Sequence, residues 1–314
     1  MKYAVVFPGQ GAQEVGMGKK LFERYATAKE VFERAESALG FDLKEIIFNG
    51  PDEELKKTEY AQPAILTMSM AVFRCLEEEG VHFEPQYVAG HSLGEYTALV
   101  ASGTLSLEDG VRLVHLRGRL MQEAVPIGKG SMAAIIGLER ETVLSICESA
   151  SATGVCQAAN FNAPGQIVIS GEREAVDMAV AMCKDAGAKR ALPLKVSAPF
   201  HCSLMRPVAD RLLESFKECS WKDPEWPLVA NVSGKTESDV ESIQQALFEQ
   251  TFKPVLWSDS IEFIISKGVH HFVEAGPGSV LSGLIKRISP EASCISVNSH
   301  EMVNETIDFL MGGQ

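Results

Sequence analysis

The chain has 314 residues, 46% hydrophobic and 23% charged, enough to bury a large core as one large or two modest domains. A formal charge of −13, with no Lys/Arg cluster interleaved with aromatics, argues against a nucleic-acid partner. Seven cysteines, none in a Cys-x-x-Cys pair and without metal-ligand rhythm, predict no metal site and fit a reducing cytoplasm.

In chain order, Met1-Lys2-Tyr3-Ala4-Val5-Val6-Phe7 is too short for a signal-peptide core or a membrane span, so residues 3–7 read as the first strand. The loop after it, Phe7-Pro8-Gly9-Gln10-Gly11, fails both nucleotide patterns, because Glu14 stands where a third glycine belongs and Gly18-Lys19 precedes Lys20. It remains a tight turn at the carboxyl end of a strand, where Gln10 can offer donors to a ligand. Helices are predicted over Ala28–Leu39 and Ala64–Glu79.

Tyr87-Val88-Ala89 then reads as the end of a buried strand, followed by Gly90-His91-Ser92-Leu93-Gly94 and a helix from Glu95 to Ala101. A serine between two glycines at such a turn has its hydroxyl lifted out of the sheet, with the Leu93 amide free near a helix N-terminus to receive an oxyanion. The pentapeptide alone also suits a simple turn with a capping serine; its flanks favour the nucleophile. On the next helix, Leu107–Ala124, Arg117 shares a face with Leu113, Val114, Leu120, Met121 and Ala124. A cation there needs an anion, either a structural carboxylate or the carboxylate of a substrate. His115, on the same helix, reads as a packing or surface residue.

From about 130 the order becomes strand (Ser131–Gly137), helix (Glu141–Ser149), strand (Val155–Asn160), strand (Gln166–Ser170), helix (Arg173–Ala186) and strand (Arg190–Val196). This is the β-α-β-β-α-β plan of a ferredoxin-like domain, spanning 129–197 and inserted into a large, α/β-hydrolase-like domain with a mostly parallel sheet formed by 1–128 and 198–314. A cleft between the two is the natural ligand site. Asn162-Ala163-Pro164-Gly165 supplies the middle turn. Ser197-Ala198-Pro199-Phe200-His201 returns to the large domain at that cleft, so His201 can reach Ser92 as its base, or can merely cap the helix predicted over Ser203–Cys219. Adjacent side chains on an extended segment point apart, which argues against a Cys202–His201 dyad. Strands at 228–232 and 271–274 and a helix over Val280–Ile288 complete the large domain.

Together, Phe7-Pro8-Gly9-Gln10-Gly11, Gln62-Pro63-Ala64, Gly90-His91-Ser92-Leu93-Gly94-Glu95, Arg117-Gly118, Phe200-His201 and Glu274-Ala275-Gly276-Pro277-Gly278 resemble, in order and over nearly the whole chain, the malonyl-CoA:acyl-carrier-protein transacylases. The resemblance implies ping-pong transfer in fatty acid biosynthesis, with Ser92 as nucleophile, His201 as general base, Arg117 on the malonyl carboxylate, and Leu93 and Gln10 at the oxyanion. It further implies that a main-chain carbonyl at Gln250 orients the histidine, that Gln62 and Asn231 lie near the substrate pocket, and that Phe200 favours malonyl. Malonyl-CoA and acyl carrier protein would be the partners, with no cofactor beyond the coenzyme A thioester. A serine thioesterase or esterase and a polyketide-pathway extender acyltransferase share much of this pattern. An acidic carrier needs a local basic patch, for which Lys189 and Arg190 are candidates, although solvated lysines would look the same.

Overall fold

The structure, a computed structural model, describes residues 1–196 and 198–311; Ser197, in the return connection, and residues 312–314 lie outside the described residues. Among the described residues ten strands are formed: β1 (Tyr3–Phe7), β2 (Tyr87–Gly90), β3 (Gly130–Ile136), β4 (Cys156–Ala163), β5 (Gln166–Glu172), β6 (Arg190–Pro193), β7 (Leu228–Val229), β8 (Thr236–Glu237), β9 (His271–Ala275) and β10 (Ser293–Val297). They make two sheets. The first has the order β10-β9-β1-β2-β7-β8 and is parallel except for the β7–β8 pair. The second, β4-β5-β3-β6, is antiparallel throughout.

The parallel sheet is covered on both faces, which is why its strands read as continuous apolar runs. Along β1, Tyr3, Val5 and Phe7 enter one core and Ala4 and Val6 the other, as a two-residue side-chain period requires. The antiparallel sheet has its own core, in which the helices Arg140–Ala150 and Arg173–Asp185 pack Val143, Ile146, Val176 and Val180 against Ile135, Ile167 and Ile169. Its elements follow in the order strand, helix, strand, strand, helix, strand. Phe200 packs against the large core and also against Met132, Ala159 and Val168, so it joins the two layers.

Several boundaries differ from expectation for local reasons. The helix predicted from Ala64 begins at Thr58 and runs to Glu78 with Pro63 inside it. Pro63 has no N–H for the carbonyl four residues earlier, that of Glu59. His115 Nδ1 lies 2.8 Å from the Glu59 carbonyl oxygen and replaces that bond, so this histidine has a specific structural task. The strand predicted over 228–232 stops at Val229, because the chain turns at Ala230, which accepts from Gly234 N at 2.9 Å, and buries Asn231 beneath the elbow. Ser203–Cys219 resolves into a 3₁₀ turn (Ser203–Met205) and an α-helix (Arg206–Phe216), with Pro207 in its first turn. The second strand of the small sheet in chain order, the edge strand β4, runs on to Ala163, leaving Pro164-Gly165 as the turn, with Gly165 at φ 66°. The last strand of that sheet is shorter than predicted, ending at Pro193. The helices Val240–Gln250, Trp257–Ser266 and His300–Met311, and the edge strand β10, went unpredicted.

Candidate active site

Ser92 sits between β2 and the helix Leu93–Ala101 at φ 53°, a positive value that a non-glycine residue adopts only when its surroundings impose it. The flanking glycines permit it. A Cβ on Gly90 would fall 2.0 Å from the Gly94 carbonyl, and one on Gly94 would fall 2.1 Å from the Phe7 carbonyl oxygen. Strand, helix and the end of β1 therefore approach backbone to backbone, and His91 N donates to that same Phe7 oxygen at 3.0 Å.

His201 also has positive φ, 57°, and is 4% exposed. Its Nδ1 lies 2.8 Å from the carbonyl oxygen of Gln250, and its Nε2 lies 2.7 Å from Ser92 Oγ. A carbonyl can only accept, so Nδ1 carries the proton and Nε2 presents a lone pair to the serine hydroxyl. No carboxylate takes part in this arrangement. Burial, reinforced by the Arg117 charge, holds the imidazole down at about 3, so the histidine is neutral near pH 7.

Arg117 is 1% exposed. Its Nη1 donates to Gln62 Oε1 at 2.9 Å, and its Nη2 to Gln250 Oε1 at 2.9 Å and to Ser92 Oγ at 3.0 Å. Three of the five guanidinium N–H groups, a number set by the side chain's chemistry, are thus used, and Nε has no acceptor among the described residues. The Tyr96 ring lies beneath the guanidinium, 5.5 Å away. None of these partners is a carboxylate. Ser92 Oγ accepts from the cation and donates to the imidazole, an arrangement that stabilises a forming alkoxide from one side and removes its proton on the other.

The Leu93 N–H, at the first position of its helix, has no intrahelical acceptor, and Leu93 lines the same cavity as Ser92. Gln10 is exposed at the end of β1, with Nε2 on Thr58 Oγ1 at 3.3 Å. Ser92, His201, Arg117, Leu93, Gln10, Gln62 and Phe200 all line one cavity of about 130 Å³. From the small sheet come Met132 and Asn160, which sequence reasoning did not single out, so both layers wall the site.

Asn231 lies behind the cavity rather than on its wall. It is fully buried, its Oδ1 accepting from Ser92 N at 2.7 Å and its Nδ2 donating to Gly90 O at 2.7 Å. The side chain of Gln250 was likewise unforeseen, donating through Nε2 to Ser92 O at 2.8 Å. Glu95 is buried as well. Its place at the end of the Gly90–Glu95 motif and its charge within an otherwise uncharged helix, Leu93–Ala101, were the sequence signals that could have found it. His91 lines the cavity too, with its Nε2 2.8 Å from Asn162 Oδ1 rather than on Ser92. Lys189 and Arg190 are exposed where β6 begins, outside the cavity lining. Among the described residues, no group of three His, Cys, Asp or Glu side chains converges to hold a metal ion, and no helix is long and apolar enough to cross a membrane.

Residues 4–303 match the model of the acyl transferase domain family. A malonyl CoA-acyl carrier protein transacylase of Haemophilus influenzae is 46% identical over 310 residues, which cover 99% of either chain. Among solved structures, an acyl-carrier-protein-S-malonyltransferase from Bartonella henselae superposes with a TM-score of 0.97 at 46% identity, over 99% of both chains. A malonyl-transacylase in complex with a type II PKS acyl-carrier protein gives 0.96 at 45% identity, over 98% of this chain and all of that one.

Proposed function

Since the chain belongs to the acyl transferase domain family, we propose that it takes a malonyl group from coenzyme A onto Ser92 and delivers it to the phosphopantetheine thiol of acyl carrier protein, in fatty acid biosynthesis. The observation that carries this reading is the buried Arg117 guanidinium, 3.0 Å from Ser92 Oγ and without a carboxylate partner. A hydrolase acting on neutral acyl groups has no use for a cation there. An acyl group that brings its own carboxylate supplies the missing anion.

In the proposed reaction, Ser92 Oγ attacks the thioester carbonyl carbon while its proton passes to His201 Nε2. The carbonyl oxygen becomes an oxyanion between the Leu93 amide and Gln10, where each preorganised donor is worth about 3 to 4 kcal/mol. As the C–S bond breaks, His201 returns the proton to the coenzyme A thiolate, leaving malonyl-Ser92. Burial of His201 keeps its cationic form short-lived, which favours that return. The carrier thiol then attacks the ester, His201 taking its proton and handing it back to Ser92. Gln62 holds the guanidinium in place and Phe200 walls the acyl pocket in favour of malonyl. Asn231 supports the elbow from behind rather than touching the acyl group. No cofactor beyond the thioester enters the scheme. The free cysteines suit a cytoplasmic location, and the exposed Lys189 and Arg190 offer an acidic carrier a place to dock.

Intact-mass spectrometry after brief exposure to malonyl-CoA tests this reading. A single malonyl adduct, lost in Ser92→Ala and discharged by carrier protein, is expected. Multiple-turnover hydrolysis without an acceptor, or no adduct at all, overturns it.

A further inference from the structure

Glu95 belongs to none of the catalytic steps above, yet the hydrogen bonds beneath the elbow converge on it. The carboxyl group is wholly buried. Its Oε2 accepts from Asn231 N at 2.8 Å and, more weakly, from Gln250 Nε2 at 3.4 Å. Each of those residues then grips the machinery twice or more. Asn231 holds Ser92 N and Gly90 O, both at 2.7 Å. Gln250 holds Ser92 O through Nε2 at 2.8 Å, Arg117 Nη2 through Oε1 at 2.9 Å and His201 Nδ1 through its own carbonyl at 2.8 Å.

We propose that Glu95, as a carboxylate, is a positioning residue that sets Asn231 and Gln250, and through them Ser92, His201 and Arg117, in register for acyl transfer. This rests on the acyl-transfer reading above. The physical reason is that a carboxylate accepts only. On that side of Gln250 it joins Ser92 O in holding Nε2 inward, which leaves Oε1 to meet the Arg117 cation. A neutral acid or amide in its place is a weaker acceptor, so Asn231 N loses a charge-assisted hydrogen bond at 2.8 Å and Gln250 Nε2 keeps only Ser92 O as a strong acceptor.

Charged and titratable groups face Glu95 from several elements. Arg117 on the helix Leu107–Glu123 favours its ionised form, Glu237 on β8 opposes it, and Tyr96 adjoins it on its own helix. His201 stands beyond Gln250. Burial dominates and lifts Glu95 to about 7, whereas His201 lies near 3 and Tyr96 near 12. Glu95 is the member of this cluster with its midpoint near neutrality.

The test is the pH dependence of Ser92 acylation by malonyl-CoA, followed by rapid quench and intact mass between pH 5.5 and 8.5, a half-reaction without the carrier thiol. Wild-type rate should rise about tenfold from pH 6 to 8, as expected for a required carboxylate with a midpoint near 7. Glu95→Gln, checked for folding by circular dichroism, should flatten that limb and slow acylation at pH 8 by about ten- to a hundredfold, with the malonyl-CoA KM changed less than about threefold. Glu95→Asp should restore a pH limb. A flat wild-type profile overturns the inference without any variant, and so does a Glu95→Gln protein that keeps the limb or the full rate. If Glu95→Gln does not fold, the wild-type profile and Glu95→Asp decide. Failure of wild-type protein to form malonyl-Ser92 would count against the acyl-transfer reading instead.

Discussion

Replacing Arg117 by alanine separates the proposed carboxylate clamp from simple structural support. In the free protein the substitution strands Gln62 Oε1 and Gln250 Oε1, each of which now accepts at 2.9 Å, in a buried site. An unsatisfied buried acceptor costs about 1 to 3 kcal/mol, so the variant should be destabilised by about 2 to 6 kcal/mol. That loss is common to every substrate. The substrate-specific part is the malonyl carboxylate, which would enter a pocket with no opposing charge. Breaking a buried charge pair costs about 3 to 5 kcal/mol, or about two to four decades in kcat/KM. Acetyl-CoA carries no such carboxylate and gains from losing the unpaired cation. The quantity to measure is therefore the ratio of acylation efficiencies for malonyl-CoA and acetyl-CoA in one competition experiment read by mass spectrometry, with thermal unfolding as a separate control. The ratio should collapse by two or more decades. A variant that loses both activities in proportion and keeps its malonyl preference would refute the clamp and leave Arg117 as a scaffold for Gln250 and Ser92.

Gly94→Ala places a methyl 2.1 Å from the Phe7 carbonyl oxygen, with backbone on both sides. It should lower stability by about 1 to 3 kcal/mol in chemical denaturation and slow acylation, and a wild-type midpoint would show that the end of β1 yields more readily than the packing implies. Charge reversal of Lys189 and Arg190 together should raise the KM for carrier protein while leaving acylation by malonyl-CoA untouched. An unchanged carrier KM would move the docking surface elsewhere.

The sequence sufficed for the architecture because its signals were local. The apolar runs at 3–7 and 87–89 are buried on both sides, and the changed rhythm after 130 marks a sheet with one helix-covered face. Where expectation failed, a distant group had intervened. Pro63 reads as a helix boundary to any local rule, and the helix runs through it with the imidazole of His115, from another helix, on the carbonyl that Pro63 leaves free. The strand at 228–232 is cut short by the turn at Ala230, after which Asn231 bonds Ser92, Glu95 and Gly90 beneath the elbow instead of a neighbouring strand.

The same division runs through the site. Glycines around Ser92 and the apolar neighbours of Arg117 can be read along the chain, since backbone crowding and helical period leave their mark on nearby residues. By itself the sequence thus determined a serine on a strand-to-helix turn, a cation on an apolar helix face and a histidine where the chain returns from the insertion. Only the tertiary structure decided that these three meet within one cavity and that the Gln250 carbonyl, rather than an acid, orients the imidazole. It also placed Glu95 below them all. Those choices depend on contacts across 25 to 158 residues of chain, which no periodicity or spacing records.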